Sequence, residues 1–166
     1  MSLALAALGA VAAALVELTV IPYLTIAGAV PHPVLLLGLV WAIAAGVEGG
    51  LTVAFVGGLA LDVLAQRPLG SSAFALLVAA GAGAALAAGF GRFRVLAPIV
   101  VTAICSPVFS LTFLALYSAL RGPTPIADPL AAVLPGAVYD TVIAALAGPL
   151  VVAVVLRRRE AERVDW

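Results

Sequence analysis

From Leu69 to Phe90, and again from Val95 to Leu120, the chain carries no charged side chain, and this restricts the fold more than any motif does. A helix rises about 1.5 Å per residue, so each run is long enough to cross the roughly 30 Å hydrocarbon core of a bilayer. At that depth backbone N–H and C=O groups find no water, which leaves helices and closed barrels as the spanning structures. The runs do not alternate apolar with polar residues, so helices are expected rather than barrel strands. With 65% hydrophobic and 10% charged residues, the chain has too little polar surface to coat a soluble fold. The expected fold class is an all-α integral membrane protein. It is read as one transmembrane domain over residues 1–166, a six-helix bundle with helices near 2–21, 33–47, 50–65, 69–90, 95–120 and 130–156.

The first run lacks the basic n-region of a cleavable signal peptide and is read as a retained helix. Ala6, Ala10 and Ala14 recur at four-residue spacing, a small-residue stripe against which another helix can pack closely. Thr25 to Pro33 holds two prolines and His32, the one histidine, and is read as a surface loop with a solvated imidazole, because the loop offers it no partner for acid–base or metal chemistry. Glu48-Gly49-Gly50 divides the second run from the third and is read as a tight turn between two short helices; one long helix bent at the glycines is the alternative. Gly81, Gly83, Ala85 and Gly89 make the fourth run suited to close packing. Pro98 and Pro107 predict a kink or break in the fifth.

Orientation follows from the arginines, since lysine is absent. With six crossings, Arg92, Arg94, Arg157, Arg158, Arg159 and Arg163 share the face of both termini, against Arg67 and Arg121 on the other, so both termini are expected in the cytoplasm. A net charge of zero gives no field to attract nucleic acid.

Reactive constellations are scarce. One histidine and one cysteine do not make a zinc site, Cys105 reads as a packing residue, and Gly70-Ser71-Ser72 looks like a nucleophile turn with no base in evidence. There is no phosphate-binding GxxxxGK[ST] run. No catalytic, cofactor or metal residue is therefore assigned.

What remains is three acids in or near the bilayer, Glu17, Asp62 and Asp140, with no lysine or arginine expected at membrane depth to pair with them. Burying an unpaired charge there costs several kcal/mol or more. Three solutions are open: the acids are protonated or water-lined as in a solute carrier, a partner chain brings a cation, or hydroxyls and backbone satisfy them, with Thr19, Tyr139 and Thr141 as candidates.

Asp62 sits in GGLALDVLAQRPLG, residues 57–70, where Gly58, Asp62 and the turn Pro68-Leu69-Gly70 precede the apolar run SSAFALLVAA. This segment resembles the signature of the rod shape-determining protein MreD family, and the Pro-containing first loop and the ending PLVVAVVLRRR after Tyr139-Asp140 extend the resemblance over the whole chain. His32 and Asp140 depart from it, standing where that family more often has Asp and Asn. The resemblance implies a non-catalytic subunit of the bacterial elongation machinery in the inner membrane. Such a subunit would bind the single-pass protein MreC and connect it to a SEDS glycosyltransferase, a class B penicillin-binding protein and MreB filaments. It also implies a fold similar to the S components of ECF vitamin transporters, whose AxxxA stripe docks their transporter, so a solute-binding subunit is the competing expectation. Ala6, Ala10 and Ala14 would serve either partner.

Overall fold

The computed structural model describes residues 3–25, 29–91, 95–122 and 128–164, with side chains as far as Ala153. Among these residues six α-helices follow in order: α1 (Leu3–Thr19), α2 (Pro33–Ala45), α3 (Val47–Leu64), α4 (Ser71–Ala88), α5 (Ala97–Arg121) and α6 (Pro129–Val164). Among the described residues five are long and apolar enough to cross a membrane, and the chain is a multi-pass membrane protein. Arg92 and Arg94, most of the Pro-rich loop before α6, and the side chains of Arg157 to Arg159 and Arg163 lie outside the described residues, so the orientation rests on the sequence.

The sixth helix, α2, is the centre of the bundle. Its 13 residues, PVLLLGLVWAIAA, are apolar on every side and reach only about 20 Å, a length and composition suited to a helix sheathed by protein rather than lipid. It packs against all five others, which form an open ring in the order α1, α3, α4, α5, α6 around it. The ring is unclosed between α1 and α6, where an apolar cavity of about 360 Å³ exposes Leu36, Leu37 and Val40 of α2.

The turn between α2 and α3 is a single residue, Gly46, at φ +111°, a value that favours glycine. The expected turn at Glu48-Gly49-Gly50 is thus displaced, and those residues form the first turn of α3. Their absent side chains serve approach instead: a Cβ on Gly50 would lie 2.9 Å from Ala42 N, and one on Gly49 2.7 Å from Trp41 Nε1. Two packed helices form, and not one bent helix.

α5 runs unbroken through Pro107, with Pro98 in its first turn, where a missing N–H is harmless. α6 continues past the expected end at Leu156 to Val164. In α4, Gly83 sits where a Cβ would touch Leu39, Val101 and Cys105, whereas nothing lies within 4 Å of one at Gly81, and Ala85 and Gly89 are exposed.

The alanine stripe is internal. Ala6, Ala10 and Ala14 are fully buried, with Ala6 and Ala10 against Val53 of α3, so the expectation that the stripe receives a foreign helix is overturned. Poly-alanine spacing lets α1 approach a helix, and α3, with Gly57 beside Ala10, is that helix. Gly58 does the same between α3 and α4: a Cβ there would lie 2.6 Å from Ala73 N, and backbone does not yield as a side-chain tip does. Gly58→Ala is therefore expected to destabilise the protein by about 1–3 kcal/mol despite alanine's better helix propensity. Thermal unfolding in detergent checks this, with Gly81→Ala as the neutral control.

Candidate functional site

All three acids lie on helices long and apolar enough to cross a membrane. Glu17 is about 20 Å along α1 from Leu3, Asp62 about 22 Å along α3 from Val47, and Asp140 about 20 Å along α6 from Ala153. They meet at one level of the bundle, the end where α2 and α4 begin. Each is buried, Glu17 at 8% exposure, Asp62 at 1% and Asp140 at 0%.

Helices explain them. The first backbone N–H groups of a helix have no partner within it and carry a partial positive charge. Asp62 accepts from Gly70 N at 2.8 Å and Ser72 N at 2.9 Å, and from the Ser71 hydroxyl at 3.2 Å, so it closes the N-terminus of α4 across the α3–α4 corner. Glu17 accepts from Val34 N at 3.1 Å, in the first turn of α2. Asp140 accepts from His32 N at 2.8 Å, the residue preceding α2, from His32 Nδ1 at 2.9 Å and from the Ser106 hydroxyl at 2.6 Å. Two carboxylates, from the helices on either side of the ring's opening, thus hold one end of the central helix. Among the described residues no lysine or arginine forms an ion pair with any of the three, and Asp140 pairs instead with the His32 imidazole.

The hydroxyls expected to satisfy the acids do other work. Thr19 and Thr141 donate to the carbonyls of Leu15 and Ala137, one turn back in their own helices, and Tyr139 donates to Leu24 O at 3.1 Å, pinning the first loop to α6. His32 is the larger correction. It is not solvated: 24% of its side chain is exposed, its imidazole pairs with Asp140, and it packs edge-on against Phe109 at 5.2 Å. Its partners come from α5 and α6, so the loop sequence alone holds no sign of them. His32 lies in the connection before α2, and burial pushes its imidazole down, but the Asp140 hydrogen bond and charge, with Glu17 adding and Arg67 opposing, leave it above its ordinary value.

The α3–α4 corner is braced further. Arg67 donates to the Ser72 hydroxyl at 3.2 Å and lies over the Phe113 ring at 5.0 Å, while Arg121 at the end of α5 donates to Gln66 O at 2.9 Å. Gln66 itself has φ +53°, the left-handed conformation that ends α3. Pro68 is half-buried, its carbonyl accepting from Ser71, and Leu69 projects outward at 73% exposure. Arg67, His32, Ser106 and Phe109 are thus parts of the site that sequence reasoning did not assemble.

Serine, histidine and aspartate do come together here, but not in a nucleophilic order. Ser106 and His32 both donate to Oδ2 of Asp140, whereas a triad needs the serine on the imidazole's second nitrogen. Ser71 and Ser72 belong to the α4 cap. Among the described residues no three of His, Cys, Asp and Glu cluster as metal ligands would.

If Glu17 is a cap, an amide oxygen replaces it. Glu17→Gln is expected to keep the fold within about 1 kcal/mol of the parent, and Glu17→Ala to cost about 1–3 kcal/mol by stranding Val34 N–H. Paired melting curves in one detergent separate the two.

The chain was compared with models of protein families, with curated proteins and with solved structures. It matches none of them.

Proposed function

We propose that the chain is a non-catalytic scaffold subunit of the bacterial cell-elongation complex, in the manner of the MreD family it resembles. The single observation that carries this reading over a solute carrier is the engagement of every intramembrane acid by helix N-termini and their neighbours. A carrier keeps several polar groups free and convergent in one pocket, with water or substrate completing them. Here the carboxylates are closed off by donors of the same chain, and the cavity of about 360 Å³ between α1 and α6 is lined by apolar residues such as Leu36, Val40 and Ile143. The result is a rigid bundle whose polar groups hold its shape and whose surface is left to lipid and to other membrane helices.

In this reading the protein resides in the bacterial inner membrane with both termini in the cytoplasm, and the end bearing the caps faces the periplasm. It binds the transmembrane segment of MreC and supports the SEDS glycosyltransferase, its class B penicillin-binding partner and MreB, with no cofactor and no reaction of its own. The binding face is not the Ala6-Ala10-Ala14 stripe, which the bundle buries.

Tagged protein purified in mild detergent from cells that also express MreC is expected to retain it through washing. Failure to retain MreC, together with thermal stabilisation by one vitamin or amino acid in a screen, would replace the scaffold with a solute-binding subunit.

A further inference from the structure

Beside the His32–Asp140 pair lies a cavity of about 190 Å³, lined by Ala29, Val30, His32, Ser110, Val133 and Gly136. Nδ1 of His32 points to Asp140, and among the described residues its Nε2 has no hydrogen-bond partner. A carboxylate that accepts from Nδ1 fixes the neutral tautomer with its proton there, which leaves Nε2 as a basic lone pair. The same histidine carries the last backbone N–H before α2, also held by Asp140. The aspartate is fixed in turn by Ser106 of α5. One side chain therefore ties the first loop, the start of the central helix, α5 and α6 together.

We propose that His32 is a proton-binding site whose occupancy sets how firmly the first loop and the start of α2 are latched to α6. A proton arriving through the cavity binds Nε2 and converts the neutral Nδ1–H···carboxylate bond into an imidazolium–carboxylate pair; no other bond forms or breaks. The groups facing His32 are Asp140 from α6, Glu17 from α1 and Arg67 from the corner after α3, while α5 presents Ser106, Phe109 and Ser110 without charge. Two carboxylates against one guanidinium favour the added proton. Since folding raises the histidine's affinity for the proton, the latch is tightest at pH below the ordinary histidine range and loosens as pH rises through the raised midpoint.

His32 is the sole histidine, so its ring can be watched without assignment. In ¹⁵N-histidine-labelled protein in lipid nanodiscs, the neutral ring is expected to carry its proton on Nδ1 and to titrate above the free amino acid. Asp140→Asn, whose amide can donate to Nδ1, is expected to move the proton to Nε2 and lower the midpoint. Amide exchange of residues 29–36, corrected for intrinsic rates, should slow about tenfold on acidification for each unit by which the pair raises the midpoint, and His32→Asn should abolish the dependence. A midpoint that Asp140→Asn leaves unchanged, or exchange in the parent protein that is flat through the titration, overturns the proposal. Neither readout depends on MreC.

Discussion

Asp62→Ala is expected to lower the melting temperature in detergent by about 10 °C, corresponding to about 3–5 kcal/mol, the largest loss of any single change to the bundle. The carboxylate is fully enclosed, so water cannot take its place. Removing it strands the part-buried N–H of Gly70 and the buried N–H of Ser72, the latter worth about 1–3 kcal/mol and the former less, while Ser71 keeps Pro68 O as an alternative. The loss reaches further than α4, because Arg67 is anchored on Ser72 and Arg121 on Gln66 in the same turn. Asp62→Asn should fall between parent and alanine variant, since one amide oxygen serves one N–H and the amide nitrogen faces the other. A melting temperature for Asp62→Ala within 2 °C of the parent, taken as about 1 kcal/mol or less, would show that the corner is held by other means.

The second large effect is at Asp140. Asp140→Ala removes the acceptor of His32 N, His32 Nδ1 and Ser106 Oγ at once. The cost is expected to be smaller than at Asp62, about 2–4 kcal/mol, because Ser106 can turn to a carbonyl of its own helix and the imidazole, already partly exposed, can swing toward the cavity. The damage should be local in a way that Asp62→Ala is not: proteolysis or labelling within the first loop accelerates while the α3–α4 corner keeps its protection. Limited proteolysis read by mass spectrometry distinguishes this from a uniform loss of stability. Equal acceleration in both places would mean that the loop is not what Asp140 holds.

The contrast between these acids shows what a sequence of this kind discloses. Helix number and order follow from apolar runs, because each run must satisfy its own backbone at membrane depth regardless of its neighbours. Asp62 is legible for a similar reason, since its partners Gly70 to Ser72 lie eight to ten residues away within the same corner. Asp140 and His32 are 108 residues apart, and nothing in either neighbourhood names the other. What the sequence did offer is that His32 precedes Pro33, an arrangement typical of a helix start, where an acceptor for the leading N–H is to be sought. The glycines of Gly49-Gly50 were ambiguous because one residue type serves both turns and close approach, and here Gly46 makes the turn while the pair admits Ala42 and Trp41. The alanine stripe predicted a close helix correctly in kind, but small residues do not say whether that helix belongs to the same chain. The central position of α2 was encoded in its shortness and in apolar residues on all sides, features that also fit a poorly formed span.

Everything turns on whether the three buried acids close helix ends or line a wet path. Residue-resolved amide exchange in lipid nanodiscs reads this at the donors themselves, Val34, Gly70 and Ser72. The account predicts that these amides exchange as slowly as those inside α2 and α4, although no helical carbonyl of their own helix reaches them. Exchange as fast as that of the exposed loop residues would place water at the carboxylates and contradict it.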